Sequence, residues 1–129
     1  EYFNISPIIK KIDPSIPIYQ HQDILELLES CEILISLNYS TILLDALILN
    51  KPSLVFLPEK QNFEEEEIIK QNAVLSVSNI SELEIKMKQI MFDEDVRNNL
   101  IKNGKLFIEK YFSYQGNSCK VLTKILLDK

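Results

Sequence analysis

Short runs of almost purely apolar residues alternate along this chain with segments of helical pattern. Residues 33–37, 54–57 and 73–77 form three such runs, and a shorter run at residues 16–19 precedes them. A strand that is apolar on both faces is typical of a parallel sheet, because helices cover both faces of such a sheet. Between the runs, apolar residues recur at helical spacing. The alternation therefore predicts an α/β fold built on a parallel sheet of about four strands.

The order of these segments predicts a Rossmann-like sheet with flanking helices and a helical C-terminal tail. Its 129 residues fit one domain, residues 1–129. Four strands make a small sheet, and the chain lacks an initiator methionine. We therefore expect it to be a fragment of a larger protein.

Polar residues before the helical segments predict where the helices begin. The predicted starts are Ser6, Asp23, Ser40 or Thr41, Ser81, Asp93 and Ser118. Asp23 and Ser81 are each followed three residues later by Glu, which is the spacing of a capping box. The helix that follows Thr41 is apolar almost all round and is predicted to be deeply buried. It should end where Asn50 adopts a left-handed conformation before Lys51-Pro52.

The composition excludes several classes of function. A net charge of −5 disfavours nucleic acid as a partner. Two glycines are too few for a Gly-rich phosphate loop. One histidine and two distant cysteines cannot supply the four ligands of a structural zinc site. We therefore predict no metal and no resident cofactor.

The sequence contains no apolar run of the roughly 18 to 20 residues that span a membrane. Its N-terminus lacks the basic-then-apolar pattern of a signal peptide. We expect a cytoplasmic protein without an integral membrane segment, either free or peripheral to the inner face of the membrane.

The candidate site is the turn Asn38-Tyr39-Ser40-Thr41, where the second apolar run enters a helix. Ligands of open parallel sheets bind beyond the carboxyl ends of the strands. Unpaired N–H groups and the positive dipole end of the helix favour an anion there, most naturally a phosphate. The alternative interpretation is helix capping, because Ser, Thr and Asn are common at any helix start.

Two further residues are candidates for the same site. Asp45 lies about one turn into the apolar helix, where an unpaired carboxylate is costly to bury and could accept hydrogen bonds from ribose hydroxyls. The alternative is a helix-dipole or capping role. His21 is the weaker candidate, since a lone histidine is more often a surface residue than a ligand contact.

Three stretches of the chain resemble the donor-binding half of GT-B glycosyltransferases: residues 23–36, Tyr39-Ser-Thr, and Leu44-Asp-Ala-Leu-Ile-Leu-Asn-Lys-Pro-Ser-Leu-Val. The family pattern has a helix, an apolar strand, a Ser/Thr/Gly turn, and Glu-Ala-Leu-x-Leu-Gly-Lys-Pro before the next strand. The chain is also similar to UDP-N-acetylglucosamine 2-epimerases and to CDP-glycerol glycerophosphotransferases. The resemblance extends over most of the chain from about Ile16.

The resemblance implies that the chain binds a nucleotide-diphosphate sugar as the donor for transfer to a glycan or polymer. It places Ser40 and Thr41 at the phosphates and Asp45 at the position of a ribose-binding Glu. Asp is one methylene shorter than Glu, and Asn50 stands where the family has Gly. The acceptor domain, which usually supplies the catalytic base, is missing. The catalytic residues are therefore unknown, and this chain alone is expected to be inactive.

Two alternatives remain open at the level of the sequence. One is a fragment of a sugar-nucleotide 2-epimerase, which would need acid and base groups that the chain does not display. The other is a non-catalytic Rossmann-like interaction module. In that case a homodimer through an exposed sheet edge or apolar face is expected.

Overall fold

The computed structural model describes residues 4–58 and 66–127. Seven helices and three strands lie in these ranges. In chain order they are α1 (Ser6–Ile12), α2 (Ile24–Ser30), β1 (Leu34–Leu37), α3 (Ile42–Ile48), β2 (Ser53–Phe56), α4 (Glu67–Lys70), β3 (Leu75–Val77), α5 (Ile80–Phe92), α6 (Glu94–Tyr111) and α7 (Ser118–Leu127).

The described strands form one parallel sheet in the order β1-β2-β3. Leu34 of β1 lies opposite Ser53 of β2, and Leu54 of β2 lies opposite Leu75 of β3. This confirms the prediction of a mixed α/β chain with a parallel sheet and flanking helices.

The predicted count of about four strands is wrong for the described residues, since the run at residues 16–19 forms no strand. Pro17 cannot donate a ladder hydrogen bond, and a strand needs a neighbour to pair with. The apolar run therefore predicted a strand at residues 16–19, but no described strand pairs with this segment.

The two faces of the sheet pack against different groups of helices. Adjacent residues of β2 point to opposite faces, so Leu54 and Val55, both fully buried, belong to separate apolar clusters. The cluster around Val55 includes Leu43 and Leu47 of α3 and residues of α4 and α6. The cluster around Leu54 joins β3 to α5 and the first half of α6.

Two of the predicted helix starts are confirmed by side-chain caps. Asp23 accepts a hydrogen bond from the backbone N–H of Leu25 at 2.8 Å. Asp93 accepts from the N–H groups of Asp95 at 3.0 Å and Val96 at 3.2 Å. In both cases the carboxylate satisfies donors of the first turn that have no partner within the helix.

The predicted capping box at Ser81 and Glu84 is wrong by two residues. The cap of α5 is Asn79, whose side-chain oxygen accepts from Glu82 N–H at 2.9 Å. The Glu82 carboxylate in turn accepts from the N–H of Ser78 at 3.2 Å. Asn79 followed three residues later by Glu82 has the spacing of a capping box, and this pair caps the start of α5.

Burial of α3 is more limited than predicted. Leu43, Ala46 and Leu47 are buried, but Ile48 is 46% exposed. The C-terminal end matches the prediction, because Asn50 has a φ of 57°, in the left-handed region.

The last helix, α7, has no buried residue in the described structure. It follows a break in which Tyr114 and Gly116 have positive φ. Across residues 4–58 and 66–127, no helix is both long enough and apolar enough to cross a bilayer.

Candidate functional site

The turn after β1 is fixed by hydrogen bonds to the sheet. Asn38 has a φ of 62°, and its N–H donates to the carbonyl oxygen of Phe56 on β2 at 3.0 Å. The Ser36 hydroxyl donates to the carbonyl oxygen of Asn38 at 3.0 Å. The left-handed residue turns the chain away from the sheet, and residues 39–41 then lead into α3.

Helix capping makes little use of the hydroxyl groups of Ser40 and Thr41 in this turn. Thr41 precedes α3 with helical backbone angles, and its side chain makes no capping hydrogen bond within the described structure. The Ser40 oxygen lies 3.5 Å from the N–H of Ile42, which is the outer limit of a hydrogen bond. Both side chains are exposed.

A cavity of about 380 Å³ opens beside this turn. One wall is the turn with the first residues of α3, and the other is the start of α4 with one ring from α6. The described residues that line it are Tyr39, Ser40, Thr41, Leu43, Leu44, Glu66, Glu67, Ile68 and Phe107. The cavity therefore lies at the carboxyl end of β1, where the topology predicts a ligand.

Tyr39 carries the largest electrostatic perturbation at the cavity. Burial, and to a lesser degree the negative charge of Glu66, raises the pKa of its phenol to about 12. Both causes disfavour the phenolate. The Tyr39 side chain thus presents a neutral hydroxyl and a ring at physiological pH.

The opposite wall is held by hydrogen bonds between α4 and α6. Glu67 Oε2 accepts from Gln71 Nε2 at 2.9 Å and from the Tyr111 hydroxyl at 3.2 Å. These two donors, Gln71 first, lower the pKa of Glu67. The Tyr111 ring also packs on Phe107, with centroids 4.7 Å apart. The contacts keep the carboxylate and the Phe107 ring on the same side of the cavity.

Asp45 is half-buried on α3 and is not among the residues that line the cavity. Its position in the first turn fits a favourable interaction with the helix dipole. The predicted contact between Asp45 and ribose stays a prediction, because the cavity lining provides no geometry for it.

His21 lies apart from the turn. It is exposed in the bend at residues 20–22 and borders a shallow depression formed only by its neighbours at residues 18–22. That depression shares no lining residue with the cavity at Tyr39. The structure therefore brings Tyr39, Ser40 and Thr41 together at one cavity and does not place His21 there.

Sequence reasoning missed Glu66 and Phe107. Glu66 belongs to the acidic run 64–67, and α4 begins at the last residue of that run, Glu67. Residues 59–65, including the rest of that run, lie outside the described residues. Phe107 reads as an ordinary core residue of α6, and only the tertiary packing places it beside the turn.

Comparison with known proteins gives no relative: no family model, no curated protein and no solved structure matches the chain.

Proposed function

We propose that the chain is the donor-binding portion of a GT-B-type glycosyltransferase, built on a partial Rossmann-like sheet. In the complete protein it would bind a nucleotide-diphosphate sugar and present it for transfer to a glycan or polymer acceptor. The observation that carries this proposal is the cavity at the carboxyl end of β1, between Tyr39-Ser40-Thr41 and the start of α4.

The size and lining of the cavity suit part of such a donor. Its volume of about 380 Å³ lies within the range of roughly 300–1,000 Å³ that is usual for small-molecule sites. Leu43, Leu44 and Phe107 supply apolar walls, and Ser40 and Thr41 supply hydroxyl groups. A few polar groups on an apolar lining are the typical composition of a ligand pocket.

Ser40 and Thr41 are the proposed contacts for the diphosphate. Both hydroxyls are exposed and little used in capping, and backbone N–H groups at the start of α3 lie beside them. Donors that are held in place before the reaction stabilise the negative charge that develops on a departing nucleotide diphosphate. The acceptor base would come from the acceptor domain, so the chain alone is expected to bind without catalysing transfer.

A second candidate, a non-catalytic interaction module, is favoured by the open edge of β1. Ile35 is 41% and Leu37 is 67% exposed, and the described residues place no strand on the outer side of β1. An unprotected apolar edge favours pairing with another strand. A mass in solution that rises with protein concentration, and that falls on Leu37→Lys substitution, would support this candidate.

The donor-binding proposal is tested by titrating the chain with UDP, CDP and GDP and following the backbone amide resonances. We expect shifts at Ser40 and Thr41, with Asp45 as the further position to inspect. The double substitution Ser40→Ala/Thr41→Ala should abolish the response. The control Ser81→Ala changes an exposed hydroxyl on α5 and should leave it intact. No response to any of the three nucleotides at millimolar concentration would refute the proposal for this chain.

A further inference from the structure

We infer that α7 is a docking surface for an anionic lipid bilayer. The helix lies in the plane of the membrane surface, with its apolar face turned toward the lipid. This inference goes beyond the proposed function, because no residue of α7 lines the cavity beside Tyr39. It stands on the exposure, the pattern and the charge of the C-terminal segment.

The apolar side of α7 is open. Val121, Leu122, Ile125 and Leu126 recur at the spacing that places side chains on one face of a helix. Leu122, Ile125 and Leu126 are each more than half exposed, and neither apolar cluster of the fold includes a residue of α7. A contiguous apolar face that no described element covers marks an interaction surface.

The charge around this face selects the partner. Residues 110–127 contain three lysines, two of them in α7, and no Asp or Glu, although the whole chain has a net charge of −5. An anionic surface attracts this segment and repels the acidic remainder, so it orients the chain with α7 toward the surface. Lysines combined with an apolar face are typical of helices that lie at a membrane interface.

The two lysines of α7 differ in their position relative to the apolar face. At about 100° per residue, Lys124 borders the face next to Val121, and its methylene stem can follow that face toward the headgroups. Lys120 lies on the opposite side of the helix. Since a helix is about 10 Å wide and the Debye length is about 8 Å at physiological ionic strength, Lys120 is attracted less than Lys124.

A second copy of the chain is the less favourable occupant of this face. The helix has ten residues, so it is about 15 Å long. One face of so short a helix offers far less than the roughly 800 Å² per partner of a standard stable interface. Adsorption to a bilayer needs no minimum area of this kind, because each apolar side chain and each lysine adds to it.

Co-sedimentation with vesicles tests the inference on the full chain. The probes are vesicles of phosphatidylcholine alone and vesicles of phosphatidylcholine and phosphatidylglycerol in equal parts. We expect binding to the anionic vesicles, weakening as the salt concentration rises. Lys124→Gln should lower the partition coefficient about fivefold, and Lys120→Gln should lower it less. The control Lys102→Gln, at an exposed position of α6, should leave it unchanged.

A tryptophan reporter identifies the face that meets the lipid. The chain contains no Trp, so an introduced one provides the entire tryptophan signal. Leu126→Trp keeps a large apolar side chain on the exposed face of α7, and its emission should shift to the blue on anionic vesicles. The control Phe92→Trp, at the exposed C-terminal end of α5, should not shift.

Four outcomes would overturn the inference. They are no binding to the anionic vesicles, binding of the same strength to phosphatidylcholine alone, binding that neither lysine substitution weakens, and a blue shift for Phe92→Trp but not for Leu126→Trp. A shift of the Leu126→Trp emission with protein concentration, without vesicles, would instead make α7 an interface between copies and would also overturn it. None of these results bears on the nucleotide titration at Ser40 and Thr41, so this inference and the proposed function can fail separately.

Discussion

The ammonium group of Lys51 donates a hydrogen bond of 2.8 Å to the carbonyl oxygen of Glu29. It donates a second bond, of 2.9 Å, to the carbonyl oxygen of Cys31. These carbonyls lie at the C-terminal end of α2, where carbonyl groups lack partners within the helix and the dipole favours a cation. Lys51 follows α3 in sequence and thus joins the end of α2 to the connection between α3 and β2. The lysine of the Asn-Lys-Pro segment therefore has a structural role in this fold.

Replacing Lys51 by Met should destabilise the chain by about 1 kcal/mol, because the side chain keeps most of its length and loses both donated bonds. The loss stays modest, since water can reach part of these carbonyls. Urea unfolding measures the change. Lys102→Met, at an exposed position of α6 that makes no described side-chain bond, is the control. Equal stabilities for the two variants would contradict the role of Lys51.

Gly104 marks the closest approach of α6 to α3. A Cβ atom added there would lie 2.9 Å from Cδ2 of Leu47, a buried side chain. Such overpacking costs about 1–3 kcal/mol, against a gain of about 1 kcal/mol from replacing glycine inside a helix. We expect Gly104→Ala to destabilise the chain by about 1 kcal/mol in urea unfolding.

The double-mutant cycle with Leu47→Ala isolates the steric cause. Removing the Leu47 methyl groups leaves room for the new Cβ, so Gly104→Ala in that background should be neutral or stabilising. A destabilisation of the same size in both backgrounds would show that the contact with Leu47 is not the reason.

The raised pKa of Tyr39 predicts a loss of stability at high pH. The phenol has a pKa of 10.0 when unperturbed and about 12 in the fold, so the folded state keeps its proton where the unfolded state has lost it. Stability from this difference is fully present below pH 10 and disappears as the pH rises through about 12. Tyr39→Phe should flatten this part of the pH dependence of the urea midpoint.

Glu66→Gln should lower the pKa of Tyr39 but leave it above 10.0, because burial is the larger cause and the charge of Glu66 the smaller. The ¹³Cζ resonance of Tyr39 reports the titration directly. A Tyr39 that titrates at its ordinary pKa, or one that does not respond to Glu66→Gln, would contradict this view of the cavity.

Local patterns predicted most of the elements of this fold. The apolar runs at residues 33–37, 54–57 and 73–77 each overlap a strand, since an all-apolar run has few alternatives in a chain with flanking helices. Asp23 and Asp93 cap helices because a carboxylate needs only its own next two or three residues to do so. The prediction of a strand at residues 16–19 was wrong because a strand also needs a partner strand, which no local pattern specifies.

Only the part of the candidate site that is formed by consecutive residues was predictable from the sequence. The turn from Tyr39 to Thr41 follows from a strand that runs directly into a helix, and the cavity lies beside it. The opposite wall depends on the packing of α4 and α6, and Glu67 bonds to Tyr111, 44 residues away. Hydrophobic periodicity gives no information about a contact between residues so far apart in the sequence. Asp45 illustrates the same limit, because its sequence position near the turn does not place it in the cavity lining.

Asn38 and Asn50 provide a matched pair for testing the link between backbone conformation and ligand binding. They have φ values of 62° and 57°, which residues other than Gly, Asn and Asp rarely adopt. Asn→Ala at either position should destabilise the chain by about 1 kcal/mol, and Asn→Gly should be close to neutral. Urea unfolding of the four variants measures both effects.

Substitutions at Asn38 and Asn50 should differ in their effect on nucleotide binding. Asn38 directs the chain into Tyr39-Ser40-Thr41, whereas Asn50 ends α3 at its far side from the cavity. Asn38→Ala should therefore weaken the nucleotide-induced shifts at Ser40 and Thr41, and Asn50→Ala should leave them intact despite a similar loss of stability. If both variants weaken the shifts equally, the effect comes from general destabilisation. The left-handed turn after β1 would then have no specific part in positioning the site.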